Sequence, residues 1–127
     1  MMRYAVVAVG LGAALGAWLR WGLSLCLNSV SVPLPLGTLC ANLIGGYLVG
    51  FAIIFFVRRP KLAPEWRLFT ITGFLGGLTT FSAFSTETVG LLLSGQYAYS
   101  LMNIVANLAG SLLLTVLGMQ TYRWISR

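Results

Sequence analysis

The chain has 127 residues, 58% hydrophobic and 8% charged, with a mean hydropathy of +0.90; a soluble domain carries about 25% charged residues, so the composition excludes a soluble fold. No histidine is present and Asp plus Glu total 2, which excludes a metal site of the usual side-chain ligands and leaves no acid–base pair or His-assisted nucleophile for an enzyme. The net charge of +6 sits between and beyond apolar runs, where it serves topology and lipid head groups rather than nucleic acid.

A spanning helix needs roughly 20 apolar residues. Four such spans fit, which predicts an all-α membrane protein built as a single four-span domain over residues 1–127. The opening Met-Met-Arg-Tyr leads into an apolar run longer than an h-region, so no cleavable signal peptide is expected. Span one is expected from about Tyr4 to Leu27, with Arg20 inside it. Pro33 and Pro35 mark the next loop, because proline disfavours helix at the residue before it. Span two follows from Leu36 to Val57, without charge, and ends on Arg58-Arg-Pro-Lys61. Pro64 and Glu65 suit a helix start, and span three is expected from Trp66 to Leu93 with Glu87 inside it. Ser94-Gly-Gln96 reads as a tight turn, and span four as Tyr97 to about Trp124. Cys26 and Cys40 read as small buried hydrophobes. The tryptophans and most tyrosines, Tyr122 among them, lie near span ends and fit interfacial belts.

Span three carries the most unusual segment, Gly73-Phe-Leu-Gly-Gly-Leu-Thr-Thr-Phe-Ser-Ala-Phe-Ser85, inside a charge-free run from Leu68 to Thr86. Irregular backbone survives at membrane depth only where protein or a watery cavity covers it. Glycines and hydroxyls in mid-span therefore predict a helix broken near its middle and lining a path, as in the broken helices that hold ions in transporters. Gly12/Gly16, Gly46/Gly50 and Gly73/Gly77 are each four apart, a spacing that lets helix backbones approach closely in lipid. Tight packing is the expectation for the first two pairs.

Intramembrane polar residues are costly and need a partner or a task. Asn103, Asn107, Ser111 and Thr115 recur every four residues and share one helix face over about 18 Å. They read either as a hydrogen-bonded seam worth about 0.6 kcal/mol per contact or as a polar track beside an ion path. Asn42, with Thr38 one turn below it, reads as a helix–helix hydrogen bond or as a donor to an anion. Arg20 either snorkels to the interface or draws anions into a vestibule. Phe81 and Phe84, three apart, share a face; their ring edges are electropositive and can touch a dehydrated anion.

These residues resemble the Fluc (also called CrcB) family of fluoride channels over essentially the full length. Gly12-x-x-x-Gly16-x-x-x-Arg20, Gly37-Thr-Leu-x-x-Asn42-x-x-Gly45 and Gly73-Phe-x-Gly-Gly-x-Thr-Thr-Phe-Ser-x-Phe-Ser85 look like the family's motifs, in order. The resemblance implies passive, fluoride-selective export that protects a bacterial cell, through two pores of an antiparallel dual-topology dimer in the inner membrane. It implies a structural sodium ion on the main-chain carbonyls of Gly76 and Thr79. It implies a fluoride pore lined by Phe81, Phe84, Asn42, Thr38, Ser82 and the span-four residues Asn103, Asn107, Ser111 and Thr115. Arg20 and Glu87 are implied as vestibule or gating residues. A small four-span proton-coupled multidrug exporter is the rival reading, but it needs a carboxylate in span one, where this chain has Arg20. A non-transporting assembly subunit is a third, and would use polar residues only to join helices.

The charges are lopsided. Arg3, Arg58, Arg59, Lys61, Arg67, Arg123 and Arg127 share one side of a four-span layout, and Arg20 alone falls toward the other. The positive-inside rule puts both termini in the cytoplasm. An antiparallel homodimer requires insertion both ways; a heterodimer with an oppositely inserted paralogue is the other arrangement the family allows. The homodimer is the expectation.

Overall fold

The computed structural model describes residues 1–28 and 32–127. Among the described residues, all regular structure is helical. Four spans are long and apolar enough to cross a bilayer: Met2–Leu27, Leu36–Val57, Pro64–Leu93 and Tyr97–Ile125. The protein is a multi-pass membrane protein, with span limits within two residues of those expected. Pro64 sits in the first turn of its helix, where its missing N–H costs nothing. Gly95 adopts φ +79° in the last turn of chain between spans, a conformation that glycine alone adopts freely.

The third span is not uniform. It begins with an α-helical turn, Pro64–Arg67, widens into a π-helix over Leu68–Leu75 and tightens again over Gly76–Leu78. Thr79 is extended, at φ −83° and ψ 153°. The helix resumes at Ser82 and runs to Leu93.

Lipid tails are as apolar as leucine, so helices in a bilayer associate through close packing rather than through the hydrophobic effect. Glycines supply that closeness in two pairs of spans. Between the first and third spans, a Cβ on Gly16 would strike the Phe74 carbonyl. One on Gly73 or Gly77 would stand 2.7 Å or 2.5 Å from the carbonyl oxygens of Val9 or Ala13. Between the second and fourth, a Cβ on Gly50 would strike the Thr115 carbonyl, and one on Gly118 the Tyr47 carbonyl. The pair Gly73/Gly77, set apart in the sequence as part of the ion path, thus packs against a neighbour like the other two. Gly76 differs. It is exposed, and its nearest would-be contact is 3.6 Å away. A small apolar core of Ala41, Ala52, Leu75 and Leu78, with Leu23 and Phe74 against it, joins the two pairs.

Two expectations are corrected. Cys26 is exposed and Cys40 only half-buried, because both fall on helix faces turned partly outward. Tyr122 is buried rather than part of an interfacial belt. Its ring meets Phe51 and Phe55 edge-on at 5.1 and 6.0 Å, with the Arg58 guanidinium 5.9 Å above it.

Because the obstacles at Gly16 and Gly50 are backbone atoms, the chain cannot yield locally. Gly16→Val and Gly50→Val are each expected to destabilise the fold by about 1–3 kcal/mol, measured by denaturant titration in micelles. Gly22→Ala, where a Cβ meets nothing, should be neutral or slightly stabilising through helix propensity.

Candidate functional site

Where the third span departs from helix, its amides need new partners. Thr80 N–H donates to Asn42 Oδ1 at 2.8 Å, and Asn42 Nδ2 donates to the Thr80 carbonyl at 3.1 Å. The Asn42 side-chain amide therefore pairs with both polar groups of one residue, as a neighbouring peptide would. Ala83 N–H turns to Thr80 Oγ1 at 3.1 Å. In a continuous helix these two amides would serve the carbonyls of Gly76 and Thr79, four residues back. Both are diverted, so both carbonyls lose their helical donor.

Upstream, Arg20 Nε donates to the Gly77 carbonyl at 3.1 Å. A cation at the carbonyl end of a helix is favourable on both hydrogen-bonding and dipole grounds. Arg20 thus holds the end of the first helical piece, a role neither of its expected readings contained.

A cavity of about 390 Å³ opens beside the interruption, between the second, third and fourth spans. Asn42, Gly76, Thr79, Phe81, Phe84, Asn107, Ser111 and Thr115 line it, together with Thr80, which the sequence reading left out of the site. Among the described residues, no charged side chain lines it. The rings of Phe81 and Phe84 meet edge-on, with centroids 5.5 Å apart and planes at 62°. Phe84 is buried, while Phe81 is 72% exposed. Thr79 Oγ1 donates to the Leu75 carbonyl at 2.9 Å and Thr115 Oγ1 to Ser111 at 2.8 Å, with Gly46 also within 3.0 Å. Ser111 Oγ reaches the Leu108 carbonyl at 3.3 Å. Carbonyls three or four residues back within a helix already hold a main-chain bond, so such hydroxyls can rotate toward an incoming ion at small cost.

The span-four ladder divides. Asn103 is fully buried and Asn107 nearly so, at 0% and 4% exposure. Asn107 Nδ2 donates to the carbonyl and Oδ1 of Asn103 at 2.9 and 3.0 Å, and Asn107 Oδ1 accepts from Asn42 at 2.9 Å. Asn103 forms a seam against the third span and does not reach the cavity. Thr38, Ser82 and Glu87 also lie off it. Glu87 Oε2 accepts from Thr38 Oγ1 at 3.0 Å and from Asn28 Nδ2 at 3.4 Å. Its Oε1 is buried without a hydrogen-bond partner among the described residues. Asn28, unnoticed in the sequence, also accepts from Gly37 N–H at 2.6 Å and so ties the start of the second span to this carboxylate. Ser82 is exposed and shares a 3.3 Å hydrogen bond with Thr80 Oγ1. Among the described residues, no cluster of three His, Cys, Asp or Glu side chains could hold a metal.

Fold and site together define a small four-span membrane protein with an uncharged, aromatic-edged cavity at an interruption of its third span. The chain belongs to the CrcB-like protein family, Camphor Resistance (CrcB), whose model matches residues 7–119. It is 59% identical to the Fluoride-specific ion channel FluC of Nitrosospira multiformis over 127 residues, covering 100% of this chain and 99% of the relative. It is 58% identical to the protein of that name from Cupriavidus pinatubonensis over 94% of this chain and 95% of the relative. For the one from Pseudomonas putida the identity is 54%, over 98% of each chain.

Removing the Asn42 amide would orphan both Thr80 groups, at about 1–3 kcal/mol each. Asn42→Leu is expected to raise hydrogen exchange of the Thr80 amide at least tenfold in detergent-solubilised protein, with helices elsewhere protected as before. Unchanged protection at Thr80 would mean that another group holds the interruption.

Proposed function

We propose that the protein is a fluoride-selective ion channel that lets fluoride leave the cytoplasm passively and so limits its toxicity. The observation that carries the reading is the cavity chemistry: two phenylalanine rings and rotatable hydroxyls line it, with no charged side chain among the described residues. Fluoride is strongly hydrated, and a narrow path must replace its water without holding it. Ring edges and hydroxyls attract a bare anion weakly enough to release it, where a lysine or arginine would trap it. The names of relatives that align over nearly the whole chain support the same substrate. A proton-coupled exporter of cationic drugs would need a carboxylate in the first span, and there is none.

The interruption of the third span is, in this reading, the centre of an antiparallel dimer with two pores in the bacterial inner membrane. Supporting it are the exposed Phe81, Ser82 and Thr86, because hydroxyl and aromatic-edge groups at membrane depth call for protein or water against them. The carbonyls of Gly76 and Thr79, freed of their helical donors, fit a hard cation that takes neutral oxygen ligands. They would hold a structural sodium ion, with a second copy completing the ligand set; the ion would supply a fixed positive charge at the dimer centre.

Purified protein in fluoride-loaded liposomes should release fluoride passively, and no chloride. Phe81→Ile and Phe84→Ile keep the bulk but lose the ring edge; each should slow release at least tenfold without changing elution on gel filtration. Release equal to that of empty liposomes would refute the channel reading, and full activity in both variants would reduce the rings to packing.

The charge asymmetry generates a separate expectation. With Cys26 and Cys40 replaced and one cysteine added after Arg127, a homodimer of two orientations should label from both faces of intact cells. Labelling from the cytoplasm alone, with fluoride release only when a second protein is present, would instead establish an oppositely inserted partner.

A further inference from the structure

Four side chains outside and inside the cavity, Thr88, Asn103, Asn107 and Asn42, are joined head to tail. Thr88 Oγ1 donates to the Phe84 carbonyl at 2.7 Å. A hydroxyl has one proton, so toward Asn103 this oxygen can only accept, and Asn103 Nδ2 donates to it at 3.0 Å. That turns Asn103 Oδ1 toward Asn107. Asn103 Oδ1 and the Asn103 carbonyl then both accept from Asn107 Nδ2. Asn107 Oδ1 is left facing Asn42, where it accepts from Nδ2 at 2.9 Å. Asn42 therefore presents Oδ1 to the Thr80 N–H and its remaining proton to the Thr80 carbonyl.

Both ends of the chain rest on backbone groups whose polarity is fixed. An amide turned over anywhere along it would set donor against donor in a buried place, at about 1–3 kcal/mol. Hydrogen bonds aligned this way also polarise one another. The chain leaves the third span at Thr80, crosses the second and fourth, and returns to the third at Phe84, one of the two cavity rings. Asn42 spends both of its protons inside it, so as the structure stands Asn42 has none left to offer an anion.

We propose that Thr88 and Asn103, neither of which lines the cavity, are positioning residues: they fix the orientation of the Asn42 amide, and through it the interruption past which the ion moves. The effect on transport rests on the channel reading above; the effect on Asn42 does not.

The test uses full-length protein in micelles and liposomes with three variants. Thr88→Val keeps the shape and removes the hydroxyl; Thr88→Ser keeps the hydroxyl; Ser100→Ala removes the bond from Ser100 Oγ to the Thr88 carbonyl, 3.1 Å, beside the chain but outside it. The side-chain amide signals of the four asparagines are read by ¹⁵N NMR, together with fluoride release. Thr88→Val should shift the Asn42 signals and lower release at least tenfold, while Thr88→Ser should restore both to within about threefold of the parent release and Ser100→Ala should leave the Asn42 signals in place. Unmoved Asn42 signals in Thr88→Val would overturn the proposal. So would Thr88→Ser as impaired as Thr88→Val, or Ser100→Ala with the same shifts, since packing would then explain all three. A parent protein that releases no fluoride would defeat the channel reading, while the Asn42 signals would still decide the positioning claim.

Discussion

The interruption of the third span depends on one side chain pairing with both backbone groups of one residue. Asn42 accepts from the N–H of Thr80 and donates to its carbonyl. Without that pairing, an extended residue such as Thr79 would leave polar backbone unsatisfied in hydrocarbon, at several kcal/mol per group. The favoured alternative would be a continuous third helix, with Thr80 N–H returned to the Gly76 carbonyl. The cavity would then lose its irregular wall, and the freed carbonyls of Gly76 and Thr79 would vanish together. One amide therefore decides between a simple span and an interrupted one.

That pairing needs a frame that holds three helices in register, and glycine provides it. The first and third spans meet backbone to backbone at Gly16, Gly73 and Gly77, and the second and fourth at Gly50 and Gly118. Substituting any of these separates helix axes, since a carbonyl oxygen cannot move aside as a side-chain end can. The frame leaves room for the cavity at Gly76, which lines it and has no close neighbour. Arg20, on the first span, closes the end of the first helical piece by donating to the Gly77 carbonyl. The interruption is thus gripped by Arg20 before it and by Asn42 at its middle.

Much of this was legible in the sequence. Composition alone requires a membrane, and the apolar runs locate four spans to within two residues. The cluster of glycines and hydroxyls in span three coincides with the extended Thr79 and the new helix start at Ser82. What periodicity cannot tell is which neighbour a face meets. The four-residue spacing of Asn103, Asn107, Ser111 and Thr115 puts them on one face, yet Asn103 is sealed against the third span while Ser111 and Thr115 open onto the cavity. Arg20 was illegible for another reason: its partner is a main-chain carbonyl, and no residue type announces one. Thr38 and Glu87 pair through a contact 49 residues apart in sequence, which only the packing of the second span against the third creates. Thr80 was hidden in plain view, since its bonds to Asn42 are made by its backbone and its hydroxyl turns to the local Ala83 N–H.

An uncharged cavity edged by aromatic rings can pass an anion only by replacing its hydration with many weak contacts, and such a path conducts without coupling to anything else. That is the central claim, and an electrical measurement addresses it without any substitution. Protein incorporated in a planar bilayer is placed under a tenfold fluoride gradient, with equal chloride and equal pH on both sides. A passive fluoride-selective path predicts a current that reverses at about 59 mV, the value for one monovalent ion. Reversal at zero, or fluoride movement that carries no current, would contradict it.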